Sequence, residues 1–143
     1  MANAKEQEKK RRILDILLEA DLTKIKVPEK QVEITRLSEA LGEKFLVTCR
    51  AISPGKSEEI QENSTRIVNG EADINIADMQ IFTVLEGVYK PDLKNKELRE
   101  KLGAVTPKEL VYKLFLMGEI TRLYNVISDL SGFGDKAVEE VKN

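Results

Sequence analysis

Few residues in this chain are equipped for chemistry. Of its 143 residues none is histidine and one, Cys49, is cysteine. The commonest general base and the commonest metal ligand are therefore missing, and one thiol cannot build a zinc site or an internal disulfide. No glycine-rich phosphate loop and no GxSxG motif is present. The 25 acidic residues are spaced as solvated helix faces rather than as a paired-carboxylate site. Arg50 is the one neighbour of Cys49 that could favour a thiolate, so this residue reads as a small buried apolar group. The chain is expected to be no enzyme, with no catalytic residue, cofactor, metal or small-molecule substrate.

Lys9, Lys10, Arg11 and Arg12 form a short basic cluster. With Glu6 and Glu8 close by and no interleaved aromatic residue, it reads as a solvated helix start rather than a nucleic-acid contact. The 23 basic residues are balanced by the acidic ones, giving a net charge of −2, so no overall field draws nucleic acid in. No apolar run approaches the ~18 residues that would span a bilayer. The N-terminal stretch lacks signal-peptide architecture, because Asp15 interrupts the run from Ile13 to Leu18, and the expected compartment is the cytoplasm.

What remains is the framework itself. A charged fraction of 34% and an apolar fraction of 41% suit one folded helical domain over 1–143. Everything else is organised around Thr106–Gly132. Thr106, Pro107 and Glu109 form a helix start, and Leu116, Ile120, Leu123, Ile127 and Leu130 recur at steps of four and three. Gly118 is expected to divide the stretch into two helices, and Gly132 to end it in a left-handed conformation.

Residues 1–12 are expected to fray, and Ile13–Leu22 to form an amphipathic helix. Basic residues at its start oppose the helix dipole, so it needs tertiary or intermolecular packing. Over 31–52 the period becomes two, which predicts a β-hairpin whose connection, Ser38 to Glu43, is a loose loop. Ser53-Pro54 opens a surface helix carrying Ile60, Ile67 and Val68 that Asn69-Gly70 ends, with a linker after it. Asp78 is expected to cap a buried helix stopped by Gly87. Residues 88–93 read as an extended turn, and Asn95 and Gly103 bound a short helix. Asp135–Asn143 reads as a last helical turn or two. The class is α+β, mainly α: an N-terminal helix and β-hairpin followed by a helical 53–143 of five or six short helices.

Four runs, LLEADL at 17–22, VEITRLSEALGEKFLV at 32–47, VLEGVYKPDLKNKELREKLGAVTPKELVYKLF at 84–115 and GEITRLYNVISDLSGFGDKAVEEVKN at 118–143, stand in the order found in the XkdN-like phage tail assembly chaperones, which the chain resembles over nearly its whole length. One departure is Met117, where relatives often carry a proline. The resemblance implies a small non-enzymatic protein of the bacterial host cytoplasm, absent from the mature virion. It would bind the tape measure protein, keep its apolar helices in solution and recruit tail tube subunits. Homo-oligomers are compatible with it, because apolar stripes and an open hairpin edge are templates for pairing. Helix-in-groove docking would use Ile13, Leu17 and Leu18, or Leu116, Glu119, Ile120, Leu123 and Ile127. Two alternatives are a structural subunit retained in the tail and a small nucleic-acid-binding regulator.

Overall fold

The computed structural model describes residues 12–142. Lys9, Lys10 and Arg11 lie outside the described residues, as does the expected fraying of 1–12 up to residue 11; Arg12, expected to fray, is helical, in a helix α1 described over 12–19. The expected helix to Leu22 is shorter by nearly a turn, because Asp21 takes the N–H of Thr23 and starts a separate 3-10 turn, Leu22–Lys24.

The period-two stretch is not extended throughout. β1, Glu29–Glu33, pairs antiparallel with β2, Leu46–Arg50, placing Val32 opposite Val47. Between them the chain is helical over α2, Thr35–Leu41, where the alternation predicts the end of a strand and a loose loop. Ile34 and Leu37, three apart, share one face of a helix but would lie on opposite faces of a strand, and both are buried. Gly42 closes α2 at φ 71°, a conformation that favours glycine, and its N–H bonds the carbonyl of Ser38. The expected extended turn after Gly87 supplies a third strand, Val88–Lys90, on the other side of β2. β2 is thus central, and Val47, Thr48 and Cys49 are all buried.

The helix opened by Ser53-Pro54, α3, ends at Asn63 rather than at Asn69-Gly70. Thr65–Val68 and Glu71–Ile74 form a second antiparallel hairpin, β3 and β4, in place of a helical end and a linker. Asn69 at φ 53° and Gly70 at φ 81° make the tight turn, which needs positive φ at both positions. The β-branched Thr65, Ile67 and Val68 favour the extended form over continuing α3. Residues 53–143 are therefore not wholly helical, although the molecule is mainly α with small sheets, an α+β fold.

Four further helices complete the chain: α4, Ile76–Gly87; α5, Lys96–Leu102; α6, Pro107–Leu114; and α7, Met117–Ser128. Asn75, not Asp78, caps α4, accepting the N–H of Asp78. Asn95 and Gly103 bound α5, and Thr106 accepts the N–H of Glu109 at the start of α6, as the sequence predicts. The break between the last two helices falls at Phe115 and Leu116, both extended, and not at Gly118, which lies inside α7. Phe115 is drawn into the core edge-on to Phe45, 6.5 Å between ring centres, and this anchoring fixes the break even with Met117 in place of proline. Gly132 adopts φ 94° within a terminal turn, Asp129–Phe133. Residues 135–142 carry no helix, and Val138 and Val141 stay in solvent.

Among the described residues the buried apolar side chains other than Ile60 form one cluster, in which α7 lies on α4 and on β2. Cys49 is wholly inside it, and burial pushes its thiol up to about 11 from an ordinary 9.0. Alkylation of the folded protein at neutral pH should be slower than that of the urea-unfolded chain by roughly a hundredfold or more. Equal rates would mean that this strand is open to solvent.

Candidate interaction surface

Ile120, Leu123 and Ile127 stand at i, i+3 and i+7 on α7 and are at most 1% exposed, packed in the cluster with Ile81 and Val84 of α4. These three residues, expected as part of a docking stripe, are core. They are covered because α4 and α7 approach closely where Gly87 lies against the Ile127 side chain. Leu116 from the same set is exposed at the entry to α7.

Glu119 is held within its own chain. Its carboxylate accepts the Leu116 N–H at 2.8 Å and two N–H groups of Arg36, at 2.8 and 3.1 Å. Arg36 also donates to the Leu114 carbonyl at 3.0 Å, so α2 is clamped onto the break between α6 and α7. A second clamp is centred on Asp78, which is buried and accepts from Lys108 at 2.7 Å and Arg66 at 2.9 Å, joining α4 to α6 and to β3. The bond from Lys108, aided by Arg66, holds the Asp78 carboxyl below its ordinary value; those from Arg36 and then Leu116 do the same for Glu119. A depressed carboxylate contributes stability that is present above its unfolded pKa, about 4, and is lost as pH falls through the lower folded value. The urea midpoint should therefore decline from about pH 4 downward. Asp78→Asn with Glu119→Gln should flatten that decline, and an unchanged slope in the variant would show that neither clamp titrates with folding.

The remaining three residues, Ile13, Leu17 and Leu18, lie on α1 and are all exposed. At 100° per residue, Ile16, Ile13, Leu17, Leu14 and Leu18 follow one another around the helix and span a sector of about 200°. Arg12, Asp15 and Glu19 fill the opposite side. Beyond α1 the apolar surface continues through Leu22, Ile25 and Val27, and every residue from 12 to 31 is exposed.

A second apolar surface lies where the sequence reading places a helix end and a linker. One face of the β3–β4 hairpin carries Ile67 opposite Ala72, then Ile74, with Ile76 beyond them, and all are exposed. The Asn69-Gly70 pair flanked by β-branched residues is the signal that marks it. Among the described residues no cluster of His, Cys, Asp or Glu could hold a metal ion, and no helix is long and apolar enough to cross a membrane.

The family model of the phage XkdN-like tail assembly chaperone proteins matches residues 14–143. Among solved structures, the crystal structure of the protein yqbn is similar, with a TM-score of 0.60 and 22% sequence identity over 76% of this chain and 87% of that one. That likeness is one of fold. No curated protein matches the sequence.

Proposed function

Since the chain belongs to the phage XkdN-like tail assembly chaperone family, we propose that it binds the tape measure protein, keeps it in solution and helps recruit tail tube subunits around it. It does so in the host cytoplasm, makes and breaks no covalent bond, and leaves before the tail is complete. The observation that carries this reading is the apolar surface of α1 and the segment after it, which the rest of the described chain leaves uncovered. A long helical client with apolar stripes is the complement of such a surface, and many weak contacts along one client add up through avidity. Weak individual contacts also let tube subunits displace the chaperone as they polymerise.

Co-expression tests the reading. The tape measure protein encoded with this chain should be several-fold more soluble in its presence than alone. A tape measure that is equally soluble without it would remove the proposal.

A further inference from the structure

We propose that in the free protein the apolar face of α1 is covered by α1 and the following segment of a second copy, so that self-pairing and client binding compete for the same side chains. A helix that packs on one side needs an apolar sector of about 100°, and α1 presents roughly twice that. The large apolar side chains from Ile13 to Val27 are 53–73% exposed. Together they offer on the order of 900 Å² per copy, against the about 800 Å² per partner of a standard stable interface.

The charges fit the same arrangement. Arg12, Asp15 and Glu19 lie on the side of α1 away from the apolar sector, so pairing buries none of them. The competition rests on the client reading above; the pairing does not.

Sedimentation equilibrium of the full chain, from micromolar to hundreds of micromolar, tests the pairing without any client present. The mass should rise to about twice the 16.2 kDa of one chain. Leu17→Glu with Leu18→Glu should stay at the single-chain mass while its circular dichroism and dilute thermal midpoint match the parent's. Ile67→Glu, on the exposed hairpin, should pair as the parent does. A parent that is monomeric throughout, or a Leu17/Leu18 variant that pairs as tightly as the parent, overturns the proposal. Loss of pairing in Ile67→Glu overturns it too, by moving the interface to the hairpin. Addition of tape measure protein should dissociate the pair, and a pair that survives saturating client overturns the competition.

Discussion

Gly87→Val should lower the thermal midpoint by roughly 10 °C, a loss of about 3 kcal/mol or more. Gly87 is buried at the end of α4, and a Cβ added there would meet Ile127 Cδ1 and Cγ2 at 2.5 Å and Cγ1 at 2.7 Å. Three atoms of one branched side chain are in the way, and Ile127 is itself fully enclosed, so no single rotation relieves the contact. Either α7 moves off α4 or the core opens. Ile127→Ala alone should cost about 2–5 kcal/mol through the cavity it leaves. Combined with Gly87→Val, the two should cost about 1–2 kcal/mol less than their sum, because the valine fills the space the isoleucine vacates. Strict additivity in chemical denaturation would show that the two helices do not meet as described.

Leu17→Glu with Leu18→Glu should have the opposite signature. Both side chains already face water, so the thermal midpoint of dilute protein should move by less than about 2 °C. Two carboxylates, one in the middle and one at the edge of the apolar sector, would have to be desolvated against a client helix, at a cost of several kcal/mol. Tape measure solubility in co-expression should then fall to the level seen without the chaperone. If the variant protects the tape measure as well as the parent, the N-terminal face is not the docking surface, and the hairpin face around Ile67 takes its place.

Where sequence and structure agree, the signal is local. Thr106, Asn95 and Ser53 cap helices through bonds that span three residues, and Gly103 and Gly132 adopt left-handed backbone near helix ends. Where they differ, two local solutions are equally available. Val32 and Ile34 share one face of a strand while Ile34 and Leu37 share one face of a helix, and the strand that ends the β1 ladder at Glu33, opposite Leu46, lies further along the chain. The Asn69-Gly70 turn reads as a helix end because the charged run before it continues the pattern of α3, although the residues after Ser64 are largely β-branched.

Residue types and their spacing are enough to exclude histidine-based chemistry and a zinc site built on cysteine and histidine, to make the chain mainly helical, and to gather its apolar side chains into stripes. None of this needs a partner surface. Which stripe becomes core and which stays in water depends on the rest of the fold. Ile120, Leu123 and Ile127 repeat no more regularly than Ile13, Leu14 and Leu17. The first set is enclosed because a glycine on α4 admits α7 to close contact, while nothing among the described residues folds back over the second. Burial is a property of two surfaces meeting, and a single stretch of sequence specifies one of them.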